Sequence, residues 1–293
     1  MTYTIVALYK FVPVADVAAA VAALKPRLAE LGICGTILIA PEGINGTLAG
    51  TASGVDGLLA ELAARFGLSR EADHVKFSYA ETKPFKRLKV RPKKEIITFK
   101  QEGADPNKQV GQYVEPKDWN ALISDPDVLV LDTRNDYETM IGTYDNAVVP
   151  PIKVFTEFAQ FVREKLDPKK HQKVAMFCTG GIRCEKASAF MLSEGFPEVY
   201  HLKGGILKYL EDVPAEQSKW QGDCYVFDRR VAVSHGLKPA ALGMCFCCGF
   251  PLRPEDREHP HFEEGVSCRH CHANTNDEQK ARFRMRQEQG VEI

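Results

Sequence analysis

Residues 173–183, KVAMFCTGGIR, constrain this chain more than any other stretch. KVAMF is a short, largely apolar run of strand length, and it ends at Cys178. Two glycines and Arg183 follow, then the helix-forming CEKASAF. A strand that hands its last residue to a glycine turn and a helix places that residue at the carboxyl edge of a sheet, where open α/β sheets bind ligands. Gly180 and Gly181 are expected to let the backbone curl so that several N–H groups converge on one atom. The helix N-terminus and Arg183 add positive potential there. Such a field lowers a thiol's pKa and stabilises a thiolate, a persulfide or another anion on sulfur. An inert cysteine buried at a strand end would satisfy the same pattern.

The surroundings predict an α/β multi-domain protein. In residues 110–220, strands at 128–131, 173–177 and 199–202 alternate with helices at 155–166, 186–194 and from Gly205 onward. This order favours a parallel sheet with function at the carboxyl ends of its strands, where both Asp132 and Cys178 fall. Residues 1–100 give strands at 3–12, 36–40, 47–49 and 74–79. Between them lie an Asp16-capped helix to Leu31, with a kink or break expected at Pro26, and a Ser53-capped helix to Phe66. The order β-α-β-β-α-β is that of a ferredoxin-like α+β domain, which can bind RNA, bind a partner or merely support its neighbour. Residues 224–293 form a third, Cys/His-rich region.

Charge narrows the partners. With 38 Lys plus Arg against 39 Asp plus Glu, the chain is no globally basic nucleic-acid binder, but a local patch remains open. Residues 81–100, ETKPFKRLKVRPKKEIITFK, hold eight basic and two acidic residues, with Phe85 and Phe99 interleaved. They are either a solvated linker containing a strand or a phosphate-contacting strip of Lys86, Arg87, Lys89, Arg91, Lys93 and Lys94. Arg229 with Arg230, or Arg282 to Arg286 in a helical tail, are alternative places for phosphate. No apolar run approaches the ~18 residues of a membrane helix. The N-terminus lacks a basic start and a small-residue cleavage site, so a cytoplasmic setting with reduced thiols is expected for the nine cysteines.

Six of those cysteines lie between Cys224 and Cys271 and read as a C-terminal cluster. Cys245 with Cys248, then Cys268 with Cys271, make two C-x2-C pairs separated by nineteen residues, the spacing of a four-thiolate zinc ribbon. Cys247, His270 and His272 compete as ligands, and an iron–sulfur cluster or a metal-free cysteine group fits the same residues. A metal held by four thiolates would be structural. Cys34 reads as a small core residue. Cys184 is either a core-facing residue of a first helical turn or a resolving thiol for Cys178.

Cys178-Thr179-Gly180-Gly181-Ile182-Arg183 resembles the active-site loop of rhodanese domains, and Asp132-Thr133-Arg134 with Glu138, Gly142 and Ala147 resembles a second rhodanese signature. The spacing is C-x4-R, shorter than the C-x5-R of cysteine phosphatases, and suits a single sulfur or similarly small group. IAPEGINGTLAG (39–50), KPFKRLKVRPKKEI (83–96), Cys184-Glu185-Lys186, YVFDRRVAV (225–233) and the C-x2-C pairs occur in one order along the chain. That arrangement is similar to the oxygen-dependent tRNA uridine hydroxylases, which make 5-hydroxyuridine at the wobble position. The resemblance implies molecular oxygen as co-substrate, the tRNA anticodon loop as partner, and Cys178 and Arg183 as catalytic residues. Thr179, Gly180, Gly181 and Ile182 would supply the loop backbone. It leaves open the electron donor and whether a reductant or sulfur-donor protein is a partner. The alternatives are a persulfide-carrying sulfurtransferase and a non-enzymatic scaffold.

Overall fold

Alternation of side chains decides the first unit. In β1 (Tyr3–Phe11), Val6 and Leu8 face a core, whereas Ala7 and Tyr9 face the other way. Helices α1 (Val17–Glu30) and α2 (Ala52–Phe66) cover the core face with Leu24, Leu28, Leu58 and Leu62, against Ile37 and Ile39 of β2 (Cys34–Ala40) and Ile44 and Leu48 of β3 (Gly43–Gly50). With β4 (Val75–Ala80) and β5 (Leu88–Pro92), the sheet order is β4-β1-β3-β2-β5. The expected β-α-β-β-α-β order holds, and β5, drawn from the basic strip, adds a parallel edge strand beside β2. This computed structural model describes residues 2–72, 74–228 and 230–289.

Local details differ from expectation. Pro26 does not break α1. A proline inside a helix costs about 3 kcal/mol, but Leu24 and Leu28 on either side are fully buried, each contributing roughly 1.5–3 kcal/mol. Thr51, not Ser53, caps α2, its hydroxyl accepting from the Gly54 N–H at 3.1 Å. Pro41-Glu42 alone makes the β2–β3 turn, so Asn45 and Gly46 lie within a strand of eight residues instead of before a short one.

The second unit is a parallel sheet with helices on both faces. Its strands in chain order are β6 (Gln112–Val114), β7 (Val128–Asp132), β9 (Lys173–Phe177) and β10 (Glu198–Leu202), arranged β6-β10-β9-β7. A short β8 (Gly142–Tyr144) pairs with β11 (Trp220–Gly222) away from it. Helices α5 (Phe158–Lys165) and α6 (Ile182–Ser193) pack one face. Helices α3 (Pro116–Leu122) and α7 (Gly205–Asp212) pack the other, and a single-turn α4 (Asp136–Thr139) follows β7. Phe99 belongs to this core and not to the strip's surface. It is fully buried, stacked 4.6 Å from Phe155 and edge-on to Phe190 at 5.4 Å, so no base can reach it. Cys224 is likewise corrected: it sits in the opposite core layer with Trp119 and Tyr209, apart from the other C-terminal cysteines.

Beyond lie the ladder of β12 (Cys224–Tyr225) and β13 (Ala232–Val233), that of β14 (Gly243–Met244) and β15 (Pro251–Leu252), and the polar helix α8 (Asp277–Glu288). Among the described residues no helix is long and apolar enough to cross a membrane.

Two charged side chains on α6 join the units. Lys186, 3% exposed, reaches Glu95 at 2.6 Å and Glu42 at 2.9 Å. Glu42 also accepts the Ile96 N–H at 2.7 Å, and Glu95 that of Phe99 at 2.9 Å. The adjacent Glu185 accepts from Tyr9 of β1 at 3.1 Å and from Tyr113 at 2.8 Å. Lys186→Met keeps the length of the side chain and removes its charge. It should destabilise the protein by about 1.5–3 kcal/mol, the worth of a hydrogen bond to a charged group, read as a lower urea midpoint. An unchanged midpoint would mean that the pair does not hold the units together.

Candidate active site and cysteine cluster

β9 delivers Cys178 into a loop that closes on its own sulfur. The side chain is 1% exposed, and Sγ accepts the Gly181 N–H at 3.1 Å. Burial pushes the Cys178 pKa up, but the hydrogen bond from the Cys184 thiol, the charge of Arg183 and the backbone N–H groups of Cys184 and Arg183 outweigh it and bring it down to about 6. In Cys184 the balance runs the other way. Burial and its neighbour Cys178 push its pKa well above the ordinary range, so it keeps its proton and acts as donor. It is wholly buried, 3.6 Å from the Thr133 hydroxyl.

Of the two loop glycines, only Gly181 adopts a left-handed backbone, at φ +99. A Cβ there would also stand 2.9 Å from the Tyr9 hydroxyl of the first unit. The expectation that both glycines are needed for the curl therefore narrows to one. A second requirement, not read from sequence, falls on Gly205 at the start of α7: a Cβ there would lie 2.5 Å from the Cys178 carbonyl. The N–H groups of Ile206 and Leu207 take the carbonyls of Cys178 and Thr179 at 2.9 and 3.0 Å, which leaves the loop's own N–H groups turned to the sulfur. Two glycines before an apolar helix were the signal available.

Arg183 is an anchored cation. Its guanidinium makes a bidentate pair with Glu138 at 2.6 and 2.7 Å, both side chains being buried. Glu138 also accepts from the Thr179 hydroxyl at 3.3 Å and the Asn135 N–H at 3.1 Å. Thus the second rhodanese-like segment holds the cysteine loop in place. Asp132, expected among functional groups at a strand end, is instead locked in a fully buried pair with Arg134 at 2.9 and 2.7 Å.

Opposite the loop lies the uncovered face of the first sheet, and a cleft of about 820 Å³ separates them. Its floor mixes the small or polar side chains Ala7, Thr36, Asn45, Thr47 and Ser78 with the apolar Ile5, Leu38 and Phe85. Cys178, Thr179, Gly180, Ile182 and Arg183 line the roof, and Phe227, Asp228 and Arg230 a wall. In β5, Lys89 pairs in register with Thr36 and Arg91 with Leu38, so both lie on the cleft face of the sheet. Lys86 and Arg87 precede that strand and Lys93 and Lys94 follow it; these four and Arg91 are exposed and Lys89 is half-buried. Among the alternative basic sites, Arg230 is paired with Asp228, Arg284 with Glu263, and Arg229 lies outside the described residues.

The C-x2-C pairs converge. Sulfurs of Cys245, Cys248, Cys268 and Cys271 all lie within 4.8 Å of one another, with 3.9 Å between Cys245 and Cys271, 3.7 Å between Cys248 and Cys268, and 3.8 Å between Cys268 and Cys271. A tetrahedron with metal–sulfur arms of about 2.3 Å has edges of about 3.8 Å, so the four fit a metal ion. Cys247 turns to Thr275, His270 stacks on Phe250 at 4.6 Å, and His272 on His261 at 4.0 Å. The three competing ligands thus stand outside the set.

A thiolate reacts and a thiol does not, so alkylation of Cys178 by iodoacetamide should be slow below pH 6, rise with a midpoint near 6 and level off above pH 7. Peptide mapping separates it from the other cysteines. Cys184→Ala removes one donor and should move the midpoint upward. A midpoint near the free-thiol value of about 8.5 would contradict the geometry.

Residues 3–96 match the UPF0176 acylphosphatase-like domain, and residues 115–212 the rhodanese-like domain. Among solved structures, a rhodanese-related protein from Thermoplasma volcanium is 26% identical over 35% of this chain and 93% of its own, with a TM-score of 0.27. A rhodanese-like domain from Anabaena is 18% identical over 39% of this chain and 80% of its own, with a TM-score of 0.32. The two domain matches cover the two sheets described above, a UPF0176 acylphosphatase-like domain followed by a rhodanese-like domain.

Proposed function

We propose that this protein hydroxylates the wobble uridine of tRNA to 5-hydroxyuridine, with Cys178 as the reacting group. The observation that carries the reading is the cleft between the open sheet face and the Cys178 loop, with Lys89 and Arg91 on the same face of that sheet. A donor as small as thiosulfate needs only the loop. A nucleotide needs the volume, and its phosphates need the basic strip. An anticodon loop can present an unstacked base at low cost.

The Cys178 thiolate adds its electron pair to C6 of the uracil, and the C5–C6 π electrons move onto C5 and the O4 carbonyl. C5 then attacks an electrophilic oxygen species. Loss of the C5 proton and expulsion of the thiolate restore the ring with one oxygen atom at C5. The O–O bond breaks, and the other oxygen atom of O2 leaves as water with two electrons and two protons from a reductant. Within this scheme Cys184 donates a hydrogen bond to the thiolate, and Arg183 holds the loop through Glu138 while lending its charge. The persulfide-carrying sulfurtransferase remains the second reading, favoured by the rhodanese-like domain, whose loop suits a persulfide equally well.

Cys178→Ser should abolish 5-hydroxyuridine in tRNA while leaving the melting curve unchanged, because a serine hydroxyl stays protonated at neutral pH. Mass spectrometry of tRNA nucleosides from cells carrying each form reads this out. Full activity in the serine variant would sink the reading, and sulfur transfer to a protein or thiol acceptor without hydroxylation would establish the alternative. The four-cysteine site is assigned to structural zinc, about one ion per chain by elemental analysis. Cys268→Ser should lose the ion and lower the melting temperature, since zinc binding and local folding are coupled.

A further inference from the structure

We infer that Phe227 is the stacking platform for the base that enters the cleft, a step that rests on the RNA reading above. Phe227 is 57% exposed, which is unusual for a large apolar side chain, and it lines the same cleft as Cys178. It stands at the end of an aromatic row: Tyr137 meets Tyr225 at 5.2 Å, and Tyr225 meets Phe227 edge-on at 5.3 Å. Tyr137 lines the cleft as well. One flank of the ring therefore packs on Tyr225, while much of its surface stays open.

Described residues on either side of Phe227 are tied down by contacts. Val226 N–H meets the Val231 carbonyl at 2.8 Å, closing the turn between β12 and β13. Arg230 pairs with Asp228 through two nitrogens at 2.9 and 2.5 Å, and the Asp228 side chain is 2% exposed. Val231 sits at φ +63, a conformation that β-branched residues avoid and that costs on the order of 1–3 kcal/mol. Such strain persists only where surrounding contacts enforce it, and it clusters at ligand clamps. Here it accompanies an aromatic ring held at the edge of a reactive cleft. A π-face accepts any base, whereas the hydroxyls of Thr36, Thr47 and Ser78 on the floor offer hydrogen-bonding groups to a pyrimidine's edge; the Asn45 amide already donates to the Ile96 carbonyl at 2.9 Å.

The test uses the full-length protein and an anticodon stem-loop RNA with uridine at the wobble position, and reads protection of Cys178 from iodoacetamide, so no turnover is needed. Phe227→Ala should raise the RNA concentration for half-protection roughly 5- to 150-fold, the range that follows from base–aromatic stacking. Phe227→Tyr should protect like the parent, and Phe227→Leu like the alanine variant. An RNA with an abasic wobble position should protect poorly, and Phe227→Ala should weaken it no further. Equal protection of the parent and Phe227→Ala, or full rescue by leucine, overturns this inference alone. A parent protein that the RNA does not protect at all overturns the RNA reading and this inference with it. Because the side chain is largely exposed, an unchanged melting curve is expected for all three variants.

Discussion

The structure depends on the first turn of α6. That turn begins where the cysteine loop ends, and its residues serve two sites at once. Cys184 looks inward to Cys178, whereas Glu185 and Lys186 reach across to the first unit. A buried lysine with two carboxylate partners is held by geometry, because leaving any one of the three charges unpaired is expensive. The distance between sheet and loop, and hence the cleft, is fixed by the same helical turn that sets the sulfur's surroundings. Moving the first unit would strain the Tyr9–Glu185 contact beside the loop, so access to Cys178 and docking of the units are one problem.

Cys178 also shows which electrostatic effect wins in a dry site. Burial alone would keep the thiol protonated. It loses because the donors are short-range and preorganised: backbone N–H groups fixed by α6, a neighbouring thiol that is itself too buried to ionise, and a guanidinium. The asymmetry between the two sulfurs follows from position alone. Cys178 sits where the N–H groups point; Cys184 lies within the first helical turn, and its own N–H is one of those turned to Cys178.

What the sequence disclosed was local. The Cys178 loop, each C-x2-C pair and each strand or helix of the β-α-β-β-α-β unit lie within a short window, where spacing determines geometry. What it hid was partnership across distance. Arg183 and Glu138 are 45 residues apart, and nothing in the C-x4-R spacing says that the arginine is taken. Lys186 and Glu95 are 91 apart. Phe99 looked like an aromatic among basic residues, and only the tertiary fold could place it between Phe155 and Phe190. Cys224 counted with the C-terminal cysteines by proximity in sequence, yet its strand belongs to the packing of the second unit. The strip's own strand pairs parallel to β2, and only that register puts Lys89 and Arg91 on the cleft side.

Arg183 bears on which anion the loop can serve. In a loop built for a tetrahedral oxyanion, the arginine must present its fork to the ligand's oxygens. Here both arms of the fork are spent on Glu138, at 2.6 and 2.7 Å in a buried setting, and freeing them would leave a carboxylate unpaired in the interior. The loop's remaining donors are backbone N–H groups gathered on one sulfur. That arrangement stabilises a single anionic atom, as a thiolate, a persulfide or a thiolate leaving a ring carbon requires. It offers no second ring of donors for phosphate oxygens, which favours chemistry that begins at sulfur; under the function proposed above, phosphate is assigned to the basic strip outside it.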